Sequence, residues 1–73
     1  MPKMPALSGK ALIKVLERKG YTQARTKGSH VRLHPPEGRP DLKKTTVPLH
    51  KRMKPGTLSS IMSDAGLTRG DLQ

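Results

Sequence analysis

Apolar residues recur along this chain in two rhythms. From Leu7 to Gly20 the rhythm is helical, with Leu12, Ile13, Val15 and Leu16 on one stripe and Lys14 and Arg18 off it. Ser8 stands where an N-cap belongs, and Leu7 and Leu12 occupy the two positions of a hydrophobic staple. Arg18 and Lys19 suit the negative end of the helix dipole and Gly20 suits the position after the cap, which predicts a helix over residues 9–19. The period then shortens to two. "YTQART" predicts a strand and "KGS" a turn, and "HVRLH" predicts a second strand with Val31 and Leu33 on one face and His30, Arg32 and His34 on the other. Residues 35–41, "PPEGRPD", predict an exposed loop. "LKKTTVPLH" resumes the alternation, with Thr45, Val47 and Leu49 on the apolar side and Lys44, Thr46, Pro48 and His50 opposite. Pro48 has no N–H to donate, so the third strand lies at an edge or ends there. In "KPGTLSSIMSDAGL", Pro55 suits a first helical turn and Leu58, Ile61, Met62 and Ala65 form the apolar stripe. Gly66 then closes the helix and brings Leu67 over Met62, and "TRGD" at residues 68–71 has the form of a capping box for one more turn. The order helix, strand, strand, strand, helix predicts an α+β fold: a three-stranded antiparallel sheet with both helices on its apolar face.

The chain has 73 residues, which predicts one domain over residues 1–73 with a loose Pro-containing leader at 1–6. A domain of this size buries only about 60% of the surface that its unfolded chain exposes. Phe and Trp are absent and Tyr21 is the single aromatic, so the small core is expected to come from Leu, Val, Ile, Ala and Met. Fifteen Lys and Arg against five Asp and Glu give a formal charge of +10. Such a balance favours a polyanion, and for a basic domain this points to nucleic acid, because each neutralised phosphate releases counterions. A membrane surface fits less well, since no apolar run approaches the roughly 18 residues of a span and no aromatic-rich amphipathic helix is present. With no cysteine there is no disulfide, thiolate metal site or thiol nucleophile. The first residues lack the apolar stretch of an export signal, and a cytoplasmic location is expected.

The three histidines carry the candidate chemistry. On a strand, His30 and His34 are about 13 Å apart, too far to share one metal ion, so neither a metal nor a cofactor is expected. If Val31 pairs with Leu49, His30 faces His50, and two adjacent imidazoles can divide acid and base work in phosphodiester cleavage; the alternative is that His50 only ends a strand. For His30 itself the residues leave two readings. It is either an exposed residue after a turn, or a proton carrier beside Gly28, Ser29, Arg25, Lys27 and Arg32, which can hold a phosphate. Lys10, Lys51, Arg52 and Lys54 flank turns and helix starts, where backbone donors add to phosphate binding. Apart from Tyr21 the chain has no ring on which a base can stack, so contact is expected mainly with the sugar-phosphate backbone.

Four stretches in this order, "SGKALIKVLERKGY", "KGSHVRLHP", "TTVPLH" and "KPGTLSSIMSDAGL", resemble the HicA (YcfA-like) toxins of bacterial toxin-antitoxin systems. The likeness runs from Leu7 to Leu67. It implies a double-stranded-RNA-binding-domain-like fold and a metal-independent endoribonuclease acting on mRNA. The active residue it implies is the histidine of the Gly-Ser-His block, here His30, and the partner it implies is a HicB-type antitoxin that blocks this site. Lys10, Arg25, Lys27, Gly28, Ser29 and Arg32 are the expected RNA-binding residues, with His50 as an auxiliary candidate. Two features depart from the family pattern: the long Pro-rich loop at 35–41 and the early stop after the second helix. Two other readings compete, a noncatalytic basic RNA-binding domain and a module that pairs only with an acidic protein.

Overall fold

The structure is a computed structural model that describes residues 7–72, and the leader expected over residues 1–6 lies outside them. The elements are α1 (Gly9–Arg18), β1 (Thr22–Lys27), β2 (His30–His34), β3 (Thr45–Pro48), α2 (Pro55–Ala65) and a last 3-10 turn, Arg69–Leu72. The strands form one antiparallel sheet in the order β1-β2-β3. This is the α+β architecture that the two rhythms predict. β2 is the central strand, and Pro48 lies at the end of an edge strand, where its missing donor costs no ladder bond.

Local chemistry sets the helix ends. The Ser8 Oγ accepts from the Ala11 N–H at 3.1 Å, capping α1. At the other end Gly20 has φ 100°, and the Gly20 and Tyr21 N–H groups donate to the Glu17 and Leu16 carbonyls, each at 3.0 Å. α2 closes in the same way, with Gly66 at φ 62° and the Leu67 N–H donating to the Met62 carbonyl at 2.9 Å. Both closures send the next side chain inward, so Tyr21 and Leu67 join Leu12, Leu16, Val31, Leu33, Val47 and Leu58 in one core. The "TRGD" turn forms with one half of the capping box, the Asp71 N–H donating to the Thr68 carbonyl at 3.0 Å instead of to its side chain. The Thr68 N–H donates to the Asp71 carboxylate at 2.8 Å, and Leu72 is buried.

Three expectations change. Tyr21 is no strand residue or stacking ring but part of the core at 2% exposure, its hydroxyl donating to the Lys43 carbonyl at 2.7 Å. Burial, followed by the nearby Asp64 and Asp41 carboxylates, pushes its phenol above the ordinary value of 10.0. Tyr21→Phe leaves the Lys43 carbonyl without that donor, and we expect a loss of about 1 kcal/mol, roughly 4–8 °C in Tm by thermal unfolding. Leu49, expected on the apolar side, is 37% exposed because the strand ends at Pro48. The register also differs from the one that would bring two histidines together. Val31 pairs with Val47, so His30 stands opposite Pro48 and His50 lies beyond the strand.

Candidate functional site

Val31, Leu33, Thr45 and Val47 turn one face of the sheet toward the helices, which leaves the other face to solvent. His30 and Arg32 lie on this open face by alternation, and both are exposed. For β1 the sequence offers no such guide, because "TQARTK" is polar throughout and exposed at every position. Its orientation comes from two anchors. At the hairpin end, Gly28 has φ 60° and no other described residue of the Gly28–Ser29 loop has positive φ, the sign pattern of a type II′ turn. This two-residue loop pairs Lys27 with His30, Thr26 with Val31 and Arg25 with Arg32. Directly paired residues share a face, so Lys27 and Arg25 point the same way as His30 and Arg32.

At the other end Tyr21 is fixed inward by the closure of α1. Strict alternation from Tyr21 would send Arg25 and Lys27 toward the helices. A register shift between Gln23 and Arg25, with Ala24 as the extra residue, resets the phase. The open face therefore carries three cross-strand rows: Lys27, His30 and Pro48; Arg25, Arg32 and Thr46; Thr22 and His34. No strand contains an acidic residue, since Glu17 is in α1, Glu37 and Asp41 are between β2 and β3, Asp64 is in α2 and Asp71 is in the last turn.

The turn that bears His30 is tied down by distant backbone. The Leu49 N–H donates to the Ser29 carbonyl at 2.6 Å, and the Gly9 N–H donates to the His50 carbonyl at 2.9 Å. The hairpin loop, the exit of β3 and the first residue of α1 are thus joined at one end of the molecule. A Cβ on Gly9 would run into the Pro48 carbonyl oxygen and stand 3.0 Å from the Leu49 Cα, so only glycine permits this approach. The space over Gly28 is open, with nothing within 4 Å of a Cβ placed there.

Of the residues expected at the site, Arg25, Lys27, Gly28, Ser29, His30 and Arg32 come together on the open face and its turn. Lys10 does not join that face. It reaches the same end of the molecule but lines a cleft on the helix side with Ile13, Thr26, Val31 and Leu49. His50 contributes its carbonyl to α1 and is not across from His30. Thr46 and His34 complete the rows, on the face to which strand alternation assigns them. Among the described residues there is no group of three or more His, Asp or Glu able to hold a metal ion.

Two of the acidic residues pair with cations outside the sheet. Arg39 makes a two-point pair with Asp41 at 2.9 and 3.1 Å in the loop after β2. The Lys19 ammonium lies 2.8 Å from the Asp71 carboxylate and, with the Thr68 N–H, lowers its pKa from 3.8 to about 2. A depressed carboxylate stabilises the fold above its unfolded value, and this contribution disappears as pH falls from 3.8 to about 2. We expect Asp71→Asn to flatten the fall of Tm over that interval; Asp41, also lowered by its Arg39 hydrogen bond, acts in the same direction.

A family model described as "HicA toxin of bacterial toxin-antitoxin" matches residues 9–67. The chain belongs to the HicA toxin family. The match runs from the first residue of α1 to Leu67, just past α2, so all three strands and the Gly28–Ser29 turn of this HicA domain lie inside it. The last turn, Arg69–Leu72, lies beyond the HicA match although its Leu72 packs into the same core. A comparison with curated proteins gave no match. Among the described residues of this HicA chain no helix is long and apolar enough to cross a membrane.

Proposed function

We propose that this HicA toxin is a metal-independent endoribonuclease that cleaves mRNA, with His30 moving the proton, and that a HicB-type antitoxin neutralises it in the cytoplasm by covering the same face. The observation that carries this reading is the setting of His30: an exposed imidazole on a face whose strands hold no carboxylate, opposite Lys27 and one row from Arg25 and Arg32. An imidazole is suited to moving a proton to or from a ribose 2′-hydroxyl or a leaving 5′-oxygen near neutral pH. Cations held around it draw in the phosphate and oppose the negative charge that grows on it during cleavage. Ser29 and the backbone donors of the turn position the phosphate, over a glycine whose open side leaves room for it. The bond from Ser29 to Leu49 keeps the corner in place. An acidic surface on the antitoxin would compete for the same charges.

One observation favours a second reading, a noncatalytic RNA-binding domain: Pro48, not a second histidine, stands across β3 from His30. Purified protein and a defined mRNA in EDTA separate the two. Cleavage at discrete sites, with the fragment 3′ ends mapped, is expected. Salt-sensitive binding with the RNA intact would establish the second reading instead.

A further inference from the structure

Arg25 and Arg32 face one another directly on neighbouring strands, both exposed on the open side of the sheet. Side chains so placed start about 4.5–5.5 Å apart at Cβ, and like charges in that position destabilise a sheet. Among the described residues nothing on the face offsets the repulsion. The other neighbour of Arg32 is Thr46, the rows on either side hold Lys27 with His30 and Thr22 with His34, and no strand carries a carboxylate. Two opposed guanidinium groups on strands that hold no carboxylate favour an anion from outside the sheet.

We propose that Arg25 and Arg32 form a clamp for one RNA phosphate, the neighbour of the phosphate held at His30. This rests on the reading of the open face as the RNA site. Rows on one face recur every two residues, about 7 Å along the strand, which is close to the step between successive phosphates of an extended single strand. Two planar guanidinium groups can each offer a forked pair of donors, a geometry that lysine lacks. With the clamp filled, one particular linkage is set against His30, so Arg25 and Arg32 are positioning residues. The clamp also couples folding to binding, because a phosphate between the arginines removes the repulsion that the free protein carries.

The test uses a single-stranded 2′-O-methyl oligouridylate, which lacks the attacking hydroxyl, with the full chain and its variants Arg25→Gln, Arg32→Gln and Arg18→Gln. Arg18 is an exposed cation of α1, on another element from the clamp. Each clamp variant should bind about tenfold more weakly. Each should reduce the slope of log affinity against log salt by about 0.7. Each should also raise the Tm of the free protein by about 1–5 °C. Arg18→Gln should do none of these. Arg32→Lys keeps the charge and gives a second measure, with the salt slope preserved and the affinity several-fold lower. Wild-type affinity in the clamp variants, or the same Tm rise from Arg18→Gln, overturns the clamp. Cleavage of unmodified RNA by the wild-type chain is scored separately: intact RNA with the clamp signature present defeats the ribonuclease reading alone, and cleavage without the signature defeats the clamp alone.

Discussion

His30→Ala should lower the rate of RNA cleavage by about 10² to 10⁴-fold, the range for losing a positioned acid or base. The same change should move Tm little, because an exposed side chain away from a cap or a buried network shifts stability by only about 0.5 kcal/mol. The separation of the two effects is what identifies chemistry. A structural residue would lower activity and Tm together. RNA affinity should fall less than tenfold, since Arg25, Lys27 and Arg32 remain on the face. His50→Ala is the matching comparison. Its carbonyl keeps the bond from the Gly9 N–H whatever side chain it bears, so the corner stays intact and the rate should change several-fold at most. Undiminished cleavage by His30→Ala, with the protein folded, would remove His30 from the mechanism.

The largest effect on stability is expected at Gly9. Alanine normally favours a helix over glycine by about 0.5–1 kcal/mol. At Gly9 the added methyl meets the Pro48 carbonyl oxygen, with the Pro48 carbonyl carbon and the Leu49 Cα each at 3.0 Å. These are backbone atoms of the chain leaving β3 and cannot rotate away as a side-chain tip can. Overpacking of this kind costs up to about 3 kcal/mol, which outweighs the helix preference. A fall in Tm of about 10 °C follows for a domain of this size. Gly56→Ala in α2, where a Cβ meets nothing within 4 Å, should instead hold or raise Tm by a few degrees. Measuring both by thermal unfolding tests the crowding itself. Equal behaviour of the two variants would show that the approach of α1 to β3 is not tight.

The elements could be read from the chain because apolar spacing decides them. Leu12, Ile13, Val15 and Leu16, and later Leu58, Ile61, Met62 and Ala65, each leave one face to bury, and the structure buries it. The exposure of His30 followed from the inward Val31 and Leu33. What could not be read was phase. Nothing in "TQARTK" says which side faces water, and the extra residue at Ala24 leaves no mark in a strand without apolar positions. The pairing of β2 with β3 was ambiguous for the opposite reason, since Val47 and Leu49 are both apolar and two residues apart. The backbone decides it, because the Leu49 N–H is used by Ser29 outside the ladder. Tyr21 reads as a strand residue because the short period begins with it, yet the glycine before it forms part of a helix closure that turns its side chain inward.

The bonds that the Leu49 and Gly9 N–H groups donate to the Ser29 and His50 carbonyls also set the order in which this end of the molecule can be assembled. Neither can form on a ribosome until the stretch after the third strand has emerged, so a half-made chain carries its histidine on an unfastened hairpin. The corner is thereby completed only after Leu49 and His50 have joined the chain, whereas the hairpin itself needs nothing beyond His34.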